Sequence, residues 1–90
     1  MVRRRHLVLD PSARDELIAC RDHDPHPQLR ERCAALLKIA DGMAPHQVAR
    51  EGLLKRRDPD SVYGWLNDYE RGGLAEVRAH LHGRHPRDGL

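Results

Sequence analysis

Phenylalanine is absent from this 90-residue chain, and Tyr63, Trp65 and Tyr69 are its only aromatic residues. A core built without them must come from Leu, Ile, Val and Ala, which suits short packed helices and argues against a strand-rich domain, where aromatic and β-branched residues dominate. Cysteine is scarce. Cys20 and Cys33 each sit in a stretch of apolar helical periodicity rather than in a Cys-x-x-Cys clip, so they read as two buried free thiols of a protein kept in a reducing cytoplasm, nucleoid-associated if bound to DNA. Long apolar runs are missing as well: none approaches the about 18 to 20 residues of a membrane span, and no apolar stretch follows Met1 to Arg5 as it would in a secretory signal. A membrane partner is thereby excluded from the expectations.

Charge of one sign is also lacking, since 16 basic residues face 14 acidic ones and the formal net charge is +2. The total therefore identifies no partner, and the distribution carries the information. Arg3, Arg4 and Arg5 form one basic cluster and Lys55, Arg56 and Arg57 a second, while Arg84 and Arg87 lie in a histidine-rich tail. Ninety residues hold one domain and leave little room for a scaffold plus an elaborate catalytic cleft, so a binding module is expected and an enzyme is not.

What is present is helical periodicity punctuated by proline and glycine. Asp10-Pro11-Ser12 is a capping residue followed by proline in the first turn, which predicts a helix over about 11–21, its stripe made by Ala13, Leu17, Ile18 and Cys20. Pro25 and Pro27 interrupt the pattern. A second helix is predicted over about 27–41 from Leu29, Cys33, Leu36, Leu37 and Ala40, with Gly42 as its stop. Pro45 opens a short third helix that carries Val48 and Ala49 inward and ends by Gly52, with Leu53 and Leu54 anchoring the loop after it. Asp58-Pro59 repeats the cap-and-proline signal and opens a fourth, over about 59–71, ended by Gly72-Gly73. The expected architecture is all-α: a small bundle of about four helices containing a helix-turn-helix, with a basic arm at 1–10, the DNA-binding domain at 11–78, and a flexible tail at 79–90.

In a helix-turn-helix, a short helix and a connector precede a longer helix that is seated by one face and enters the major groove with the other. If Val62, Trp65, Leu66 and Tyr69 are inside, then Asp60, Ser61, Tyr63, Gly64, Asn67 and Asp68 face out. Ser61 and Asn67 can donate and accept hydrogen bonds, Tyr63 can meet a thymine methyl or a phosphate, and Gly64 permits close approach, so these four are the expected base readers. Asp60, Asp68 and Glu70 make that helix acidic. Phosphate affinity is therefore assigned to Arg3, Arg4, Arg5, Lys55, Arg56 and Arg57, and six such contacts imply a log-log salt slope of roughly −5.

From Leu7 to about Arg78 the chain resembles the N-terminal DNA-binding region of insertion-sequence transposases related to the mariner superfamily. The resemblance rests on Leu9-Asp10-Pro11, on the run Leu29 to Leu37, on Ala40-Asp41-Gly42 and Val48-Ala49-Arg50, and above all on Ser61-Val62-Tyr63-Gly64-Trp65-Leu66-Asn67-Asp68-Tyr69 followed by Gly73-Leu74. It implies a paired-like or homeodomain-like helix-turn-helix with Ser61, Tyr63, Gly64 and Asn67 as base-reading positions. Such transposases continue into a catalytic domain with metal-binding carboxylates, so the resemblance implies a reader of DNA without the cutter. This chain departs from the pattern in its longer connector, from Glu51 to Asp58, and in Gly64 and Asp68, which occupy places often basic in relatives.

The expected partners are double-stranded DNA and a second copy of the chain in a homodimer, with the first helix as a candidate surface and with no small-molecule substrate. No cofactor or metal is expected. His80-x-His82-x-x-His85 lies in a segment with little to fix its geometry, and Asp10, Asp15, Asp58 and Asp60 read as caps or first-turn residues rather than as a catalytic pair. A competing reading is a protein-interaction module that docks through the acidic outer face of the fourth helix and Tyr63; a third is an inactive remnant of a transposase.

Overall fold

A computed structural model describes residues 7–53 and 56–81. Its elements run α1 (Pro11–His23), α2 (Pro27–Ala40), α3 (Pro45–Gln47) continuing into one π-helical turn (Val48–Gly52), and α4 (Pro59–Ala79). No strand occurs among the described residues. The all-α bundle expected from the sequence is therefore the observed fold.

Every helix begins on a proline, whose missing N–H is one that the first turn leaves unpaired in any case and whose φ already suits a helix. Asp10 caps α1 by accepting from the backbone N–H of Ala13 at 2.7 Å, and Asp58 caps α4 by accepting from that of Asp60 at 3.1 Å. The end of α2 is equally determined. Gly42, at φ +112°, lets its own N–H reach the Ile39 carbonyl while the N–H of Met43 reaches that of Lys38, both at 3.0 Å, the paired reverse bonds of a Schellman stop.

α1 lies along α2, and α4 crosses against α2, α3 and the π-helical turn. Leu17 from α1, Leu29, Cys33, Leu36 and Ile39 from α2, Val48 and Ala49 from the turn, and Val62, Leu66 and Val77 from α4 are all sealed from solvent. Leu7 and Leu81 close the cluster at the two ends of the described chain. Burial of a Leu or Val side chain stabilises by about 1.5–3 kcal/mol, so this one cluster holds the helices together in place of any cross-link. Cys20 and Cys33 are buried free thiols, as their periodicity predicts.

Two boundaries differ from expectation. α1 runs on to His23, where the Asp24 N–H still reaches the Cys20 carbonyl at 3.0 Å. More consequentially, Gly72-Gly73 does not end α4. Gly73 adopts φ +73°, ψ −160°, a kink, and helix resumes to Ala79. A glycine pair is a stop signal because it frees the backbone locally; here that freedom turns the chain so that Leu74, Val77 and Leu81 fold back on the core. Packing thus reaches Leu81, beyond the domain edge expected at residue 78. The rest of the tail, His82 to Leu90, and Arg3, Arg4, Arg5, Leu54 and Lys55 lie outside the described residues.

Candidate nucleic-acid interface

The helix-turn-helix is formed by α3 with its π-helical turn, a connector, and the first limb of α4. Gly52, at the end of the turn, packs so closely that a Cβ there would stand 3.1 Å from Lys38 Cδ and 3.2 Å from Met43 Sδ. The connector is pinned at its far end. The Arg57 N–H donates to the Ala49 carbonyl at 2.8 Å, and its guanidinium grips Glu31 of α2 through Nε and Nη2, both at 2.7 Å. Arg57 thus fixes the entry to α4.

Val62 and Leu66 are fully buried and seat α4 on the core. Ser61 and Asn67 are exposed, and Tyr63 and Gly64 are half-buried. The four expected base-reading positions therefore lie along the accessible side of the first limb, opposite its seat. Trp65 was expected inside and is half-buried: it packs against the core, and the Arg32 guanidinium of α2 lies over its ring face, 5.3 Å from the centroid. Tyr69 is half-buried. Burial, followed by the nearby Glu16 and Asp10 carboxylates, pushes its phenol pKa up.

Asp68 corrects the sequence reading. Expected on the outer face, it is 1% exposed, covered by the segment that returns beyond Gly73. Its Oδ1 accepts from Arg71 Nη2 at 2.7 Å, and its Oδ2 lies 3.0 Å from His80 Nδ1. Periodicity placed it on the outside because it considers one helix at a time, and the cover arrives from eight to twelve residues further along the chain, at Glu76 and His80. Its loss from the surface leaves Asp60 and Glu70 as the exposed carboxylates of the limb before the kink.

Of the residues assigned to phosphate, Arg56 is exposed just ahead of the α4 N-terminus, whereas Arg57 is occupied by Glu31. Arg3, Arg4, Arg5 and Lys55 lie outside the described residues. Sequence reasoning passed over Arg32. It lines a shallow cleft of about 300 Å³ with Asp60, Ser61, Gly64, Trp65 and Asp68, beside the accessible side of α4. Nothing local marks it, since its partners Trp65 and the His80 carbonyl, 3.3 Å from Nη1, are distant in sequence.

No helix among the described residues is long and apolar enough to cross a membrane. No curated protein and no solved structure matches the chain. A family model described as winged helix-turn helix matches residues 32–90, from the middle of α2 through the whole helix-turn-helix and onward. The match takes in α3, the connector and α4, the elements whose geometry defines the motif, and covers well over half of the sequence: the chain belongs to the winged helix-turn-helix family.

Proposed function

We propose that this chain binds double-stranded DNA through α4, as a transposase-related regulator or accessory factor that works by binding rather than by catalysis. The observation that carries the proposal is the seating of the first limb of α4: Val62 and Leu66 are sealed in the core while Ser61 and Asn67 stand on the exposed side, with Tyr63 and Gly64 beside them. A helix held in this way presents hydrogen-bonding groups to base edges without first having to unfold. Arg56, at the entrance to α4, supplies a phosphate contact, joined by Lys55 and the arginines of the arm.

Arg57 drops out of the phosphate set because Glu31 holds it, so five cations remain and the expected log-log salt slope is about −4.5. One such helix touches few base pairs, so a pair of chains on a two-fold symmetric site is the natural assembly. The rival reading, a protein-docking face made by acidic α4, is weakened by the burial of Asp68.

Fluorescence anisotropy with random and candidate duplexes over a salt series tests the proposal. Salt-steep binding that weakens when Ser61 and Asn67 are both changed to Ala supports it. Absence of binding at low salt overturns it, and binding indifferent to those two positions overturns the assignment of α4 as the reader.

A further inference from the structure

The kink in α4 gathers three metal-ligating side chains that the DNA-facing surface does not use. Asp68 comes from the limb before Gly73, and Glu76 and His80 come from the chain after it; one donor atom of each lies within 4.8 Å of the other two. Asp68 Oδ2 stands 3.0 Å from His80 Nδ1. His80 Nδ1 is fully covered yet makes no hydrogen bond, in spite of the oxygen 3.0 Å away. The two atoms are close without being aligned.

A buried ring nitrogen without a partner is unfavourable, and a shared cation removes the cost. It also explains the misalignment: two donors each about 2.1 Å from one metal ion, set near a right angle at it, stand about 3 Å apart, and neither points at the other.

The surroundings fit such a site. Arg71 Nη2 reaches Oδ1 of Asp68 at 2.7 Å, and its Nη2 and Nε both reach Oε2 of Glu76, at 3.2 and 3.3 Å, orienting both carboxylates. Gly72 makes room for Glu76: a Cβ at that position would fall 2.9 Å from Glu76 Cβ and 3.1 Å from Oε1. Arg32 holds the His80 backbone through its carbonyl.

We propose that Asp68, Glu76 and His80 bind a first-row divalent cation of the zinc type. One imidazole and two carboxylates are a borderline ligand set, and three protein ligands leave a position for water. The bound ion clamps the two limbs of α4 across the Gly73 kink. The site stands on this geometry alone and not on the DNA-binding reading, and its test contains no DNA.

The full chain, stripped of metal, is titrated with Co²⁺ and followed by visible d–d absorption, with Zn²⁺ as competitor and thermal melting as a second readout. One equivalent binds, and excess metal raises Tm. His80→Gln and Glu76→Gln each weaken binding by about tenfold or more. Asp68→Asn does the same where circular dichroism shows it folded; if it unfolds, the other two variants decide. The His82→Ala/His85→Ala double variant retains the site. Absence of saturable binding, binding that survives His80→Gln, or loss of binding in the His82/His85 variant overturns the proposal.

Discussion

Arg57 and Glu31 face each other in a two-pronged ion pair, Nε to Oε2 and Nη2 to Oε1 both at 2.7 Å, which ties the connector ahead of α4 to the middle of α2. Two adjacent arginines of one basic cluster thereby acquire different tasks. Arg56→Ala is expected to leave Tm unchanged and to reduce the salt slope of DNA binding by about 0.9, the loss of one phosphate contact. Arg57→Ala is expected to do the reverse, leaving the slope alone and destabilising the fold by up to about 1 kcal/mol, a partly exposed pair being screened by solvent. Salt-series anisotropy and thermal melting on the two variants check this, and equal slopes for both would contradict the division.

Gly73 tests the kink. At φ +73°, ψ −160° it occupies a region that is essentially closed to other residues, and a Cβ there would meet nothing within 4 Å. The cost of Gly73→Ala is therefore backbone strain alone, about 1–3 kcal/mol, read from denaturant unfolding. An unchanged midpoint would mean that α4 runs straight through.

Asp24 governs part of the acid limb of stability. Its carboxylate accepts from the His26 N–H at 2.9 Å and from Arg78 Nη2 at 2.8 Å, and these bonds, the first foremost, hold its pKa below the ordinary range against the opposing effect of burial. A depressed folded pKa means that the contribution is complete above the unfolded value of about 3.9 and disappears as pH falls through the lower folded value. Melting between about pH 5 and pH 2 should show a shallower fall for Asp24→Asn than for the unaltered chain. Parallel curves would count against it.

Cys20 and Cys33 should be inert in the native state. Burial pushes both thiols up; the neighbouring Cys20 raises Cys33 further, while a hydrogen bond with Cys33 moderates the rise at Cys20. Thiolate, the reactive form, is therefore scarce at neutral pH. Labelling with a disulfide reagent should be slow in buffer and rapid for both thiols in guanidinium chloride; fast native labelling of Cys33 would place it outside the core.

Legibility in the sequence followed the range of the forces involved. The four helix starts were readable because Pro11, Pro27, Pro45 and Pro59 act within a single turn, and the seat of α4 because Val62 and Leu66 repeat at helical spacing. Trp65 was only half placed: its apolar character was plain, but Arg32, which occupies its face, lies on another helix.

The amino-acid sequence by itself determined the all-α class, the helix-turn-helix and the accessible side of its second helix, since capping, proline and periodicity are local properties of the chain. Tertiary structure alone decided that Arg57 is taken by Glu31, that α4 continues past Gly73, and that Asp68 is buried beside Arg71 and His80. Each of these depends on groups brought together by packing, and the periodicity of one helix contains no term for the surface that will cover it.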